Sequence, residues 1–210
     1  MTRKFALREI KKTRTKLSIF TSCLSLIQDR TFREVRLEDI CGRAEVSKVT
    51  FFKFFPRKED LLVYFMRLWL DRRMLELQAH PCRGLDAIRL FLKDVADGAK
   101  DRPGLMLSLI SFLAEERMHP SMPVLSDVEI HLLYPGREKF IDPIVPNLGD
   151  LFRRFLAEAR EDGEIRTDLS IDDLVKMLFS IFYGAYLTAH IYQERDIMNV
   201  YELHLQSLLR

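Results

Sequence analysis

The run from Phe32 to Leu62, FREVRLEDICGRAEVSKVTFFKFFPRKEDLL, restricts what this chain can fold into more than any other stretch. Leu37, Ile40, Cys41 and Ala44 recur at helical spacing, so residues near 37–44 are expected to form an amphipathic helix with a small inner face. Glu45 interrupts that pattern. Ser47 follows as an N-cap candidate, because its hydroxyl can accept a bond from an unpaired first-turn amide. Val46 and Phe51 flank it at the spacing of a hydrophobic staple. The helix from Lys48 must end near Phe55, since Pro56 disfavours helical geometry in the residue before it. A longer third helix begins at once. Two short helices around a tight turn, the second carrying Lys48 and Lys53 about an aromatic spine, is how a helix-turn-helix offers a recognition helix to the DNA major groove. A small helical hairpin that merely fills a core is the competing reading.

Charge separates this region from the rest. The whole chain carries a formal net charge of only +2, which says little about partners. Residues 1–58 hold 15 Lys and Arg against 6 Asp and Glu, a formal +9, whereas residues 59–210 hold 18 against 25, a formal −7. An electropositive head on an electronegative body suits phosphate binding, because Lys and Arg release counterions from a duplex. The basic run Arg3, Lys4, Arg8, Lys11, Lys12, Arg14 and Lys16 reads either as an arm along the DNA backbone or minor groove, or as a solvated tail.

Beyond the head the periodicity is helical almost throughout. Only eight Gly and eight Pro interrupt 210 residues, and no run alternates for long with period two. Helices are expected near 58–78, 85–99, 103–118, 148–160, 171–192 and 196–209, with one short helix near 124–133 inside the irregular, Pro-rich segment 119–149. Asp162-Gly163 should stop the helix from 148. The apolar stretch Met177 to Ala189 is too short to span a membrane, and the basic N-terminus lacks the apolar core of a secretory signal, so a cytoplasmic protein is expected. Cys23, Cys41 and Cys82 are odd in number and form no CxxC pair. Reduced thiols are expected, with Cys23 and Cys41 on inner helix faces and Cys82 in a turn where a redox role stays open.

Catalytic readings fail on spacing. The five His residues, at 80, 119, 131, 190 and 204, show no metal-ligand pattern, and His119 and His131 are separated by two prolines. Gly163 and Gly184 stand alone, so no Gly-rich phosphate loop exists. Glu115-Glu116 and Asp172-Asp173 read as a solvated helix face and a helix first turn. No catalytic residue, metal ligand or cofactor is assigned, and the chain is not expected to be an enzyme.

The head resembles the tetracycline-repressor (TetR) family of bacterial transcription regulators. Ile19-Phe20, Ser22-Cys23, Leu26-Ile27 and Thr31-Phe32 look like the family's first helix and its exit. Val35, Glu38-Asp39-Ile40-Cys41, Ala44 and Val46-Ser47 match the second helix and turn. Thr50-Phe51-Phe52-Lys53-Phe54-Phe55 and Lys58-Glu59-Asp60-Leu61 match the recognition helix and the entry to the fourth. Thr31 and Glu45 replace residues that are usually Gly, so their turns must be reached without that freedom or with strain. Arg36 stands where a capping Thr is frequent, Val49 where Gly is common, and Phe52 and Phe54 where Tyr is common. Phe52 cannot donate the phosphate hydrogen bond of that Tyr, although it can pack on sugar or a thymine methyl; Lys53 and Arg36 would have to supply phosphate contacts.

The resemblance implies an all-α protein. A three-helix helix-turn-helix DNA-binding domain would occupy residues 1–57, and a helical effector-binding and dimerisation domain residues 58–210. It implies DNA contacts from Arg36, Ser47, Lys48, Val49, Thr50, Phe52, Lys53 and Lys58. It implies a homodimer on a palindromic operator, paired through the last two helices by Leu174, Leu178, Ile181, Phe182, Ala185, Ala189, Ile197, Val200 and Leu203. The competing reading of those helices is that they complete the monomer core. A small, apolar or aromatic effector is implied too, with Phe65, Trp69, Phe91, Met106, Phe112, Arg117, Phe152, Phe179 and Tyr183 as candidate contacts and His119 and His131 as nearby polar groups. Repression is the commonest role in the family. The alternative is a helical interaction protein whose helix-turn-helix has lost a specific operator.

Overall fold

The computed structural model describes residues 5–27, 30–117, 119–141 and 147–210. Arg3 and Lys4 of the expected arm, and Met118 at the expected end of the helix from Pro103, lie outside the described residues.

Three helices make the head: α1 (Leu7–Leu26), α2 (Leu37–Arg43) and α3 (Lys48–Phe54). Their apolar faces meet over Ile19, Phe20, Cys23, Ile40, Cys41 and Phe51, all buried. α4 (Asp60–Ala79) begins in that same core. Its Leu61 and Leu62 are buried there, and its Tyr64 ring meets Phe20 and Phe55 edge-on at 5.0 and 5.7 Å. The helix starts two residues later than the expected position 58, because the Asp60 carboxylate accepts the Arg57 N–H at 2.8 Å and closes the preceding turn.

The body is built from α5 (Gly84–Asp101), α6 (Pro103–Glu116), α7 (Asp127–Leu133), α8 (Leu148–Glu161), α9 (Ile171–Ile191) and α10 (Ile197–Leu205). α5 packs on α8, α8 on α9 and α9 on α10. Phe91, Phe155, Phe152 and Phe182 join these helices in edge-to-face pairs 5.6–6.5 Å apart, the geometry aromatic quadrupoles favour. Local chemistry sets the ends. Pro103 opens α6 where its missing N–H costs nothing. Ser126 and Glu129 form a capping box that starts α7 at Asp127, later than its hydrophobic pattern. Gly163, at φ +74°, ends α8 as expected, with Glu164 N–H bonded to the Ala159 carbonyl at 2.9 Å.

Two short 3₁₀ turns, Glu138–Phe140 and Gln206–Leu208, have no clear sequence period; the second shortens the expected last helix. Among the described residues no strand forms, and one isolated bridge, Ile165 to Leu209, ties the α8–α9 connection to the C-terminus. α9 runs for 21 residues, longer than the apolar stretch anticipated, and by length and composition alone could cross a membrane. In the fold its apolar residues go elsewhere: Leu174, Leu178, Ile181, Phe182, Ala185 and Ala189 are buried in the body.

Candidate DNA-reading head and ligand cavity

α2 ends in a left-handed turn at Glu45, φ +55°. The Val46 N–H reaches the Cys41 carbonyl at 3.0 Å and the Glu45 N–H that of Gly42 at 3.3 Å. The turn thus closes as it would around Gly, with strain of roughly 1 kcal/mol for a residue that has a Cβ. Thr31 needs no positive φ. Its N–H and hydroxyl both donate to the Glu34 carboxylate, at 2.7 and 2.8 Å, and these bonds hold that carboxyl below its ordinary range. Ser47 caps α3, its hydroxyl accepting the Thr50 N–H at 3.1 Å and lying 3.0 Å from the Thr50 hydroxyl.

Phe51 is fully buried, so α3 is pinned by one face. The opposite face exposes Ser47, Lys48, Val49, Phe52 and Lys53, with Thr50 half-buried. Arg36, at the α2 N-terminus, is exposed as well. Two lysines behave differently from expectation. The Lys48 ammonium is bonded to the exposed Glu38 carboxylate, which lowers the Glu38 pKa and raises that of Lys48. Lys58 turns inward: its Nζ donates to the Phe32 and Val35 carbonyls, both at 2.9 Å, and lies 4.4 Å from the Phe32 ring centroid. It fastens the segment ahead of α2, so its ammonium is held inward rather than presented with the exposed face of α3.

In the body, α4, α5, α6 and α9 line a cavity of about 850 Å³, with residues 119–122 and 147–149 at its side. Of the expected effector contacts, Phe65, Trp69, Met106, Phe179 and Tyr183 line it. Phe91, Phe112 and Phe152 do not; they are buried in the packing behind its wall. Nor does Arg117, an exposed left-handed residue at φ +57° that ends α6. His119 does line it, its ring 5.0 Å from Phe179 and 6.4 Å from Tyr183, and loss of solvation lowers its pKa. His131 is bonded to Glu138 at 2.9 Å and stands outside the lining. Sequence reasoning missed the charged lining: Arg72, Arg73, Asp94, Asp97, Asp101 and Arg102. Asp94 takes the Trp69 indole N–H at 2.5 Å and Arg73 at 2.6 Å, holding part of the wall rigid.

Head and cavity share elements. α6 turns Leu105, Met106, Leu109 and Leu113 to the cavity. From other positions its Ser108 hydroxyl accepts the Phe32 N–H at 2.7 Å, and its Glu116 pairs with Arg57 at 3.0 Å. α4 contributes Leu61 and Leu62 to the head core and Phe65 and Trp69 to the cavity. A third link joins α7 to α1: Glu129 accepts from Lys16 at 2.6 Å and from the Tyr64 hydroxyl at 2.9 Å.

Residues 19–65 match the family model described as bacterial regulatory proteins, tetR family. The head is a TetR-family DNA-binding domain. Solved structures share the fold of nearly the whole chain. Thermus thermophilus FadR, a TetR-family transcriptional repressor solved with lauroyl-CoA, is 24% identical over 91% of each chain, with a TM-score of 0.60. A TetR-family transcriptional regulator from Agrobacterium tumefaciens is 16% identical, covering 95% of this chain and 100% of its own, at 0.63. Bacillus subtilis FadR, solved with stearoyl-CoA, is 17% identical, covering 91% and 98%, at 0.59. No curated protein sequence matches the chain significantly. The chain therefore has the fold of a TetR-type transcriptional regulator, with a helical body behind its head.

In that TetR-type body most of the residues anticipated at a dimer interface are already used. Leu174, Leu178, Ile181, Phe182, Ala185, Ala189 and Val200 are buried within the single chain, and Ile197 is half-buried against its core. Helical periodicity marks an apolar face without saying what covers it, and here α5, α8 and α10 do. Leu203 is the exception, 62% exposed. Leu187, Ile191 and Tyr192 at the α9 end are exposed as well, which the periodic inner face concealed.

Proposed function

We propose that this protein is an effector-responsive transcriptional repressor that binds a palindromic DNA operator as a homodimer in the cytoplasm. The division of labour follows the expected boundary near residue 57, with DNA contacts from the exposed face of α3 and from Arg36. One observation carries this reading: α4 and α6 each touch both the head core and an 850 Å³ cavity. A ligand that binds one placement of those helices better than another shifts the head with it. The apolar part of the cavity wall favours a small apolar or aromatic effector, and relatives of this fold solved with lauroyl-CoA and stearoyl-CoA support an apolar class. For the second copy, the outward residues Leu187, Ile191, Tyr192 and Leu203 replace the buried ones as the proposed contact.

A gel shift with the DNA flanking the protein's own gene tests this. Binding is expected to weaken steeply with added salt and to fail in Lys48→Ala with Lys53→Ala. Salt-insensitive or absent binding would favour the interaction-protein reading. For the cavity, lauroyl-CoA is expected to raise the melting temperature and lower DNA affinity together; stabilisation that leaves DNA affinity unchanged would refute the coupling.

A further inference from the structure

We infer that the head reads its operator mainly through thymine 5-methyl groups, using Val49 and Phe52; this rests on the DNA-binding reading above. The basis is what α3 leaves free. The helix sequence, KVTFFKF, contains no Arg, Asn or Gln, so only its two lysines belong to the side chains that form paired hydrogen bonds with base edges. All its polar side chains but Lys53 have partners within the protein. The Ser47 and Thr50 hydroxyls lie 3.0 Å apart within the N-cap, and the Lys48 ammonium is held by Glu38. Lys53 is exposed, and a single ammonium suits a phosphate as well as a base.

What remains on the outward face is apolar. Val49 is 67% exposed and Phe52 46% exposed, on a helix whose Phe51 is fully buried. Exposed apolar side chains at the centre of a surface flanked by Lys48, Lys53 and Arg36 meet a polyanion, and within a major groove the 5-methyl of thymine is the apolar group on offer. Val49 and Phe52 are three residues apart, so their Cβ atoms stand about 5–6 Å apart on one face. That distance spans roughly two base-pair steps of about 3.4 Å. Each half-site should therefore carry two thymines, on either strand, within about two steps of one another. Burying one methyl is worth about fourfold in affinity.

The test begins with the full chain and a random double-stranded library at low salt, followed by sequencing of the captured duplexes. In the best duplex, deoxyuridine then replaces each thymine singly, which removes the methyl and leaves every hydrogen-bonding group in place. Fluorescence anisotropy is expected to show about fourfold or greater weakening at two positions per half-site. Val49→Ala, which removes no core contact, should make one position indifferent to the methyl, and Phe52→Ala the other. Affinities within twofold of the parent at every uracil, or methyl sensitivity retained in both variants, would overturn methyl reading while leaving DNA binding intact. Failure to capture any duplex at low salt would overturn the DNA-binding reading itself, and this inference with it.

Discussion

Removing the charge of Glu129 should loosen the head from the body by a measurable amount. Glu129 is 6% exposed, and its carboxylate accepts four hydrogen bonds: from Lys16 at 2.6 Å, from Tyr64 at 2.9 Å, and from the Ser126 N–H and hydroxyl at 3.0 and 2.8 Å. Three elements therefore meet on one carboxylate, and α7 is only 7 residues long, too short to hold its place by itself. Breaking a buried pair by neutralising one partner costs about 3–5 kcal/mol. The Lys16 side chain keeps 19% exposure, so water takes over part of its solvation and the lower end, about 3 kcal/mol, applies to Glu129→Gln. Lys16→Met should cost less, about 2 kcal/mol, since Tyr64 and Ser126 still donate to the carboxylate.

The double variant separates the pair from its surroundings. Urea unfolding at fixed protein concentration, for the parent, both single variants and the double, should give a coupling of about 2 kcal/mol between Lys16 and Glu129. Strict additivity would show that the contact does not link α1 to α7. The acid dependence has a defined sign. Burial alone would raise the Glu129 carboxyl, but the Lys16 hydrogen bond, the Ser126 backbone N–H and the Lys16 charge together carry it below its ordinary value. A depressed folded-state pKa contributes stability that is fully present above the unfolded value and is lost as pH falls through the folded one. Parent and Glu129→Gln should therefore differ most at neutral pH and converge in acid.

Other consequences are local. Glu45→Gly should stabilise the head by about 1 kcal/mol, seen as a higher melting temperature, because Gly adopts φ +55° without the Cβ penalty. Ser47→Ala should cost about 1 kcal/mol through loss of the α3 cap, with faster amide exchange confined to the first turn of that helix. Glu38→Gln should strengthen binding to any duplex by freeing Lys48 for phosphate, and a titration showing unchanged or weaker affinity would count against it. Ile191→Glu with Leu203→Glu should shift the protein towards monomer in sedimentation while leaving its melting temperature at low concentration nearly unchanged, since both side chains are exposed.

The head was the most legible part because its signals are local. Ser47, Pro56 and the spacing of Leu37, Ile40, Cys41 and Ala44 each act within a few residues, and the helices formed where those residues place them. Glu45 shows the same from the other side: the backbone keeps the left-handed turn that Gly would supply and accepts the strain. The body was legible as helices and much less as surfaces. Phe65 and Phe152 look alike in a periodic pattern, yet one lines the cavity and the other is core. Arg72, Asp94 and Arg102 read as solvated charges until the helices are placed, when they fall on a cavity wall.

Periodicity records which residues leave water; it carries no information on whether they leave it for the same chain, a ligand or a second copy. Leu178 and Leu203 make the point, one fully buried in the body and the other 62% exposed, although both belong to regular apolar stripes. The contacts that decide such cases join positions far apart in sequence. Lys16 and Glu129 are separated by 113 residues, and Phe32 and Ser108 by 76. Each pairs a head residue with a body helix, and the second of these helices, α6, also lines the cavity. No motif marks such long-range bonds, and if the proposed coupling holds, it is at those bonds, rather than at the recognition helix, that substitutions should alter response while leaving operator choice unchanged.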